Sequence, residues 1–398
     1  MPAAETSGSL AYSPTPAGPE VLRIAMIGQR GLPATFGGIE HHVAHLGRRL
    51  AARGHEVTVY CRANYVSERR DAIDGVRLRH LPTLGTKHFD ALAHSLLSTV
   101  AALADRHDIV HYHALGPGLC SPLPRYLSRA RVVQTIHGHD DRRQKWGGVA
   151  KAVLRGARWL SEHVPDAVIG VSDEITDEYA LVRDRLTVHI GNGVERPVPA
   201  VPPDPVIRRG LLPGKYVLFV GRLVPEKAVD LLLRAFSGVE GDVRLAVVGG
   251  SSFTDGYVSR LRELAASDSR VRMLGYVYGD ELASLYRHAA VYVQPSHLEG
   301  LPLALLEGTS YGLPTIASSI GCHREVIAEE GPGGRLFREG DEEHLRDVLA
   351  RVLAALDHEK EGARARAEDV LGRYSWDVAA DRTESLYRSL LAAPARRR

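Results

Sequence analysis

A chain of 398 residues is long enough for two domains of ordinary size. Its composition, 44% hydrophobic and 25% charged, is that of a water-soluble globular protein, and a formal net charge of +2 gives no electrostatic case for nucleic acid. Cys61, Cys120 and Cys322 lie far apart without metal-ligand spacing or a disulfide framework, which favours a reducing cytoplasm, and no apolar run approaches the ~20 residues that span a bilayer.

Residues 1–20, rich in Pro, Ala, Ser and Gly, lack the basic start and apolar core of a signal peptide and read as a disordered segment. A buried strand over 21–28 breaks on Gly28, and a loop over 29–36 leads to Gly37-Gly38. A helix to about Arg53 follows, supported by Ile39, Val43, Leu46 and Leu50 at helical spacing, and 56–60 is the second strand. This strand–glycine loop–helix–strand unit begins a doubly wound α/β domain. The loop reads G-x-x-G and then G-G. It lacks the G-x-G-x-x-G of dinucleotide enzymes, which disfavours an oxidoreductase. Gly37 and Gly38 either permit a tight turn or let a phosphate approach the helix start.

The alternation continues with strands at 76–80, 109–112 and 132–136 and a helix at 89–103. The last of these strands delivers His137-Gly138-His139-Asp140 to the carboxyl edge of the sheet, where doubly wound folds bind ligands. His137 there can orient a hydroxyl or relay a proton; a turn or capping role is the alternative, more so for His139 and Asp140. Ser172 follows a strand at 167–171 and suits the N-cap of a helix beginning at Asp173, and 188–192 closes a domain over 21–195. Between Arg142 and Arg158 stand Arg142, Arg143, Lys145, Lys151, Arg155 and Arg158, with no acid among them. On a helical wheel Lys151, Arg155 and Arg158 oppose Val149, Val153, Ala157 and Leu160. This is either a surface for anionic lipid head groups or a lipid-diphosphate acceptor, or a surface helix packing a small apolar face on the sheet; the latter is preferred.

Six prolines between Arg196 and Gly214 argue against any helix there and predict a semi-rigid linker over 196–213. A second α/β domain, 214–375, repeats the alternation, with strands at 216–220, 244–248, 271–274 and 291–294. Two such domains imply a cleft between them. Arg222 sits at the end of its first strand and Lys227 five residues later at a helix start. A guanidinium fork and an ammonium point charge suit a diphosphate; solvated pairing with Glu226 and Asp230 is the alternative. After the strand at 291–294 a loop carries Glu299-Gly300-Leu301, with Pro302 predicted at the first position of a helix that stops at Gly312. Glu307 lies on that helix eight positions after Glu299, so both carboxylates can border one ligand and accept from sugar hydroxyls, while the helix start attracts an anion. The tail, 341–373 and 375–391, is helical and ends in Arg396-Arg397-Arg398.

The stretch Y-V-Q-P-S-H-L-E-G-L-P-L-A-L-L-E-G and the stretch G-R-L-V-P-E-K-A-V-D-L-L-L-R-A-F resemble the E-x7-E signature and the phosphate-binding segment of retaining glycosyltransferases of family 4. That family has the GT-B fold, two doubly wound Rossmann-like domains facing across a cleft, and the resemblance covers both domains. It implies a nucleotide-sugar donor with no bound metal or cofactor, and no D-x-D cation site is evident. Arg222 and Lys227 would hold the donor diphosphate, Glu307 the ribose, and Glu299 with Gly300 and Leu301 the donor sugar. His137 would lie near that sugar, and Gly37-Gly38 would admit the phosphate. Retention is commonly explained in this fold by front-face attack, the departing phosphate taking the acceptor's proton, so His137, Arg222, Lys227 and Glu299 are the catalytic candidates. Ala228 departs from a small residue, often Gly, and Arg324 from the proline of a P-E-V segment that Glu325 otherwise matches. The last helix, 376–398, would cross back to the first domain.

The first domain, through I-A-M-I-G-Q-R-G-L-P-A-T-F-G-G-I-E-H-H-V and H-G-H-D-D-R-R-Q-K-W, resembles a bacterial rhamnosyltransferase-like subgroup associated with cell-surface polysaccharide assembly. Glu40 matches a position usually acidic there. With Arg142 and Arg143 it is an acceptor-side candidate. The expected function is transfer of a hexosyl group to a glycan, lipid-linked or small-molecule acceptor, in the cytoplasm or peripherally at the inner face of the membrane. A sugar-nucleotide epimerase of the same architecture, a natural-product glycosyltransferase and a non-catalytic nucleotide-sugar-binding partner protein are the alternatives. The presence of Arg222, Lys227, Glu299 and Glu307 weighs against the last.

Overall fold

The computed structural model describes residues 21–34, 37–65, 69–83, 90–139, 148–182, 185–199, 201–251 and 254–394. The expectations for 1–20, Asp140, Arg142, Arg143 and the basic fringe 396–398 lie outside them.

The first unit runs β1 (Arg23–Ile27), α1 (Gly38–Ala52), β2 (Glu56–Arg62), β3 (Ala72–Ile73), β4 (Val76–Leu81), α2 (Asp90–Asp105), β5 (Ile109–His113), α3 (Pro122–Leu127), β6 (Arg131–Ile136), α4 (Gly148–His163), β7 (Ala167–Gly170), α5 (Asp173–Ala180) and β8 (Leu186–His189). Its eight strands are ordered β3-β4-β2-β1-β5-β6-β7-β8, all parallel except the two-residue β3, which pairs antiparallel with β4. The second unit runs α6 (Asp204–Arg208), β9 (Tyr216–Val220), α7 (Val229–Ser237), β10 (Arg244–Val248), α8 (Asp255–Ala266), β11 (Val271–Gly275), α9 (Gly279–His288), β12 (Val291–Gln294), α10 (Leu303–Ser310), β13 (Thr315–Ser318), α11 (Gly321–Ile327) and β14 (Gly334–Phe337). Its six parallel strands are ordered β11-β10-β9-β12-β13-β14. Helices α12 (Glu342–Ala354), α13 (Leu356–Arg373) and α14 (Trp376–Ala392) complete the chain. Strands such as Y-V-L-F-V of β9 are nearly continuous in apolar residues because helices cover both faces of a parallel sheet.

The proline-rich segment corrects one expectation. It contains α6, with Pro205 in the first turn, where its missing N–H breaks no helical bond. Val206 and Leu211 are buried in the second unit's core, and Ser284 donates to the Pro202 carbonyl at 2.8 Å, so the segment from 202 is packed rather than a free linker. Two smaller corrections concern caps. Ser172 precedes α5 without capping it through its side chain, and Pro302 sits at the N-cap of α10 rather than inside the helix.

Two chain segments cross between the units side by side. Val194 pairs with Ser375, its N–H donating to the Tyr374 carbonyl at 2.7 Å. Gly193 is needed there, since a Cβ would lie 2.4 Å from the Trp376 nitrogen. Helix α14 then returns to the first unit, burying Trp376, Ala380, Tyr387 and Leu390 against α1 and the sheet. The Tyr387 hydroxyl lies 2.6 Å from His111 Nδ1.

Candidate active site

In both sheets the strand order reverses, between β1 and β5 and between β9 and β12. A crevice opens there beyond the carboxyl ends of the strands, the preferred ligand site of such folds. The first crevice is bordered by the loop after β1 and by His113 at the end of β5. They approach so closely that a Cβ on Gly28 (φ +128) would stand 2.2 Å from the His113 carbonyl oxygen. The second is bordered by Gly221-Arg222 after β9 and by the 295–301 loop after β12. The crevices face each other. A Cβ on Gly300 would lie 2.1 Å from the His137 carbonyl oxygen, and one on Gly38 would lie 3.9 Å from Leu303 Cδ1 at the start of α10. The amino ends of α1 and α10 therefore converge with His137 and the Glu299–Leu301 loop, an arrangement that favours an anion.

Lys227 and Glu299 meet in an ion pair, Lys227 Nζ donating to Glu299 Oε1, with both side chains largely buried. The same oxygen accepts from Ser296 Oγ at 2.7 Å and Gln294 Nε2 at 2.9 Å, and Tyr292 donates its hydroxyl to Gln294 Oε1. Burial pushes the Glu299 carboxyl upward, but the Lys227 charge and hydrogen bond, aided by His323 and Ser296, outweigh it and hold it below the usual range. Lys227 ends a 3-10 turn, Pro225–Lys227, and the next residue, Ala228, takes the left-handed conformation (φ 49, ψ 41). An alanine there costs about 1 kcal/mol that a glycine would not, which is the physical content of the departure noted at this position. His297 N–H donates to the Glu226 carbonyl at 2.9 Å, tying the β9 and β12 loops together. Arg222, half-buried, follows β9 on the same side.

Glu307 lies on α10, where Gly308 packs against Tyr292: a Cβ at Gly308 would fall 2.6 Å from that ring. Its Oε2 accepts from the Tyr286 hydroxyl at 2.9 Å. Burial raises its carboxyl to about 7, with the Tyr286 hydrogen bond opposing. Glu307, Tyr286, Leu282 and Gly279 line an open pocket of about 210 Å³ bordered on its other side by His41, His45, Trp376 and the crossing segment 193–198. The two carboxylates thus occupy distinct places, Glu299 on the lysine and Glu307 beside the pocket, and the Tyr292 hydroxyl feels the charge of both.

On the first unit's side, Gly37 (φ 102) is the N-cap of α1. His137 is not fully buried as a residue, but its ring packs among histidines: its Nε2 is 3.2 Å from His113 Nδ1, and it stands edge-on to His42 at 4.6 Å. Burial, then the neighbouring His42 and His111, hold the His137 imidazole well below its ordinary range, so it is neutral at pH 7. His42 Nδ1 pairs with Asn192 Oδ1 at 2.9 Å, and Asn192 Nδ2 donates to the Leu301 carbonyl at 2.7 Å, linking the two units at the site. Sequence reasoning missed His42, His113, Asn192 and Tyr286. The H-Y-H of β5, with His111 and His113 on one face of a strand that ends at the sheet's carboxyl edge, was the available signal.

Two expectations change, those for Glu40 and for the basic stretch on α4, and Glu325 gains a role. Glu40 is buried, its carboxylate under Gly37 and accepting from the Arg30 N–H at 3.1 Å, so it shapes the glycine loop instead of facing an acceptor. Glu325 accepts from the Asp173 N–H at the start of α5 at 2.9 Å and from the Tyr374 hydroxyl at 3.2 Å, with His189 at 3.4 Å, and serves as a contact between the units. On α4 the described part of the basic stretch divides otherwise than the wheel predicts. Val153 is exposed and Leu154 buried, while Arg158 pairs with Glu162 at 2.6 Å and Glu178 at 3.3 Å and lies over Tyr179.

Comparison with known proteins bears on both units. Residues 36–196 match the model described as Glycosyltransferase Family 4, and residues 214–355 the model described as Glycosyl transferases group 1. A D-inositol 3-phosphate glycosyltransferase of Geodermatophilus obscurus is 29% identical over 88% of this chain and 84% of its own. Among solved structures, sucrose-phosphate synthase from Thermosynechococcus elongatus superposes with a TM-score of 0.80 at 24% identity, over 93% of this chain and 99% of its own. HepE of Anabaena, in complex with UDP and glucose, superposes with a TM-score of 0.76 at 18% identity, over 92% and 100%. These likenesses establish the GT-B fold.

Proposed function

The chain is a glycosyltransferase of GT-B fold and family 4 type, and from that premise we propose that it moves a hexosyl group from a nucleotide-sugar to a hydroxyl of a glycan or lipid-linked acceptor, with retention, in cell-surface polysaccharide assembly. The observation that carries the reading is the buried Lys227–Glu299 pair at one switch point, set against His137 at the other across the Gly300–His137 contact. A donor diphosphate entering between the amino ends of α1 and α10 competes with Glu299 for Lys227 and meets Arg222. The charge that develops on the leaving diphosphate is then stabilised by a guanidinium, an ammonium and two helix ends in a site screened from water. Glu307 accepts from the ribose hydroxyls. Neutral His137 orients a hydroxyl of the donor sugar, and the departing phosphate takes the acceptor's proton. No step in this scheme requires a metal or cofactor.

The UDP and glucose bound in the HepE structure support a nucleotide-linked donor. The rhamnosyltransferase-like resemblance of the first unit supports the polysaccharide role. The name of the inositol-phosphate relative favours a second reading of the acceptor, a small phosphorylated polyol. Among the described residues no helix is long and apolar enough to cross a membrane, and action at the cytoplasmic face is part of the proposal. Arg222→Ala or Lys227→Ala should lower turnover by ~10²-fold or more with the accepted donor, measured as release of nucleoside diphosphate. Near-normal rates would reject the leaving-group role, and conversion of the donor sugar without any acceptor would favour an epimerase.

A further inference from the structure

We propose that the imidazoles of His42, His113 and His137 form a binding site for one divalent transition-metal ion of the zinc type, and that its occupancy shuts off transfer by engaging His137. The three rings come from three elements, α1, the end of β5 and the turn after β6. One ligand nitrogen from each lies within 4.8 Å of the others. Their centroids are separated by 5.4 Å (His42–His113), 4.6 Å (His42–His137) and 5.5 Å (His113–His137). Three imidazoles on a tetrahedral ion, with Zn–N of about 2.0–2.1 Å, stand roughly 5 Å apart, so the rings are already at the spacing one ion needs, and its binding replaces the 3.2 Å His113–His137 contact with bonds to the metal.

The hydrogen bonding prepares the set. Nε2 of His42 and Nε2 of His113 are buried without a partner, an expensive state for a ring nitrogen that serves only packing. Asn192 fixes the His42 tautomer: its amide nitrogen is committed to the Leu301 carbonyl, so its oxygen faces His42 and accepts Nδ1–H, leaving the Nε2 lone pair free. A second ring nitrogen held by an outer partner is the usual arrangement of a metal-binding histidine. His111 packs against His113 at 4.2 Å, its ring tilted by 35°, and spends both nitrogens on Tyr387 and Thr135, so it buttresses the set from outside. An all-imidazole set without a carboxylate selects zinc, copper or nickel over magnesium and calcium. His137 alone of the three residues is not fully buried, so entry of the ion and the fourth, water-filled position belong on its side of the set.

The binding half stands on this geometry; the shut-off half rests on the proposed function, in which His137 orients the donor sugar. The test uses untagged, chelator-treated full-length protein. Calorimetric titration with zinc should give one ion per chain, and cobalt should give the absorption of a tetrahedral site. His113→Gln should weaken zinc binding by at least ~100-fold and Asn192→Ala by about 10–100-fold, with magnesium inert throughout. Crystals soaked in zinc should show an anomalous peak between the three rings, which decides the matter should a variant fail to fold. Absence of a one-ion site in the wild type, or a peak elsewhere, overturns the site. In the wild type zinc should abolish turnover and chelator restore it, while His113→Gln should be insensitive. A zinc-loaded enzyme that still turns over at its full rate overturns the shut-off. A chain with no transferase activity at all would sink the functional reading and leave the titration to judge the site.

Discussion

Burial lifts the Glu307 carboxyl to about 7, from an ordinary value near 4.5. The folded chain therefore holds this proton more tightly than the unfolded chain does. The contribution favours folding at low pH and declines as pH rises from about 4.5 through 7, reaching a cost of up to about 3 kcal/mol for the buried carboxylate above that. Glu307→Gln should accordingly stabilise the free protein more at pH 8 than at pH 5 while weakening its affinity for nucleoside diphosphates. Thermal melts at the two pH values and a nucleotide titration check this; equal melting shifts at both pH values would contradict it. Glu307, Glu299, Arg222 and Lys227 could be picked out in the sequence because each stands a countable number of residues from a strand end or helix start; the roles given to them belong to the proposal. Their partners could not. Lys227 reaches Glu299 across 72 residues, Tyr286 reaches Glu307 across 21 and His42 reaches Asn192 across 150, and no local pattern encodes such encounters.

At the scale of elements, the long strands and most helices were readable because buried parallel strands and amphipathic helices carry opposite periodicities. What escaped was short or conformationally unusual. The two-residue β3 has too few positions to show a period, and α6 hides among prolines because only its first turn contains one. The site depends on how closely elements approach, which glycines decide. Gly300 lets the Glu299 loop lie against His137, and a methyl group there would sit 2.1 Å from a carbonyl oxygen. Gly300→Ala should thus push the loop off His137 by about an ångström and cut turnover by ~10²-fold, with the protein still folded. Turnover and melting temperature measured side by side test this, and wild-type turnover in the variant would refute the contact's importance.

At the scale of the molecule, each sheet offers one crevice, and the arrangement sets the two mouth to mouth. Side-by-side crossings at 194 and 375, the return of α14, the Asn192 bridge and the Glu325 contact with α5 hold the units in this relation. Two α/β units with a cleft between them could be read from alternation alone; the facing of the crevices could not, because it arises from contacts between residues far apart in the chain. The most direct test is calorimetric titration of UDP, GDP, dTDP, ADP and their common sugars into wild type, Lys227→Ala and Glu307→Gln. One nucleotide should bind selectively at one site per chain, about tenfold or more weaker in each variant. Failure of every nucleotide to bind, or binding indifferent to both substitutions, would contradict a donor site built on the Lys227–Glu299 pair and Glu307.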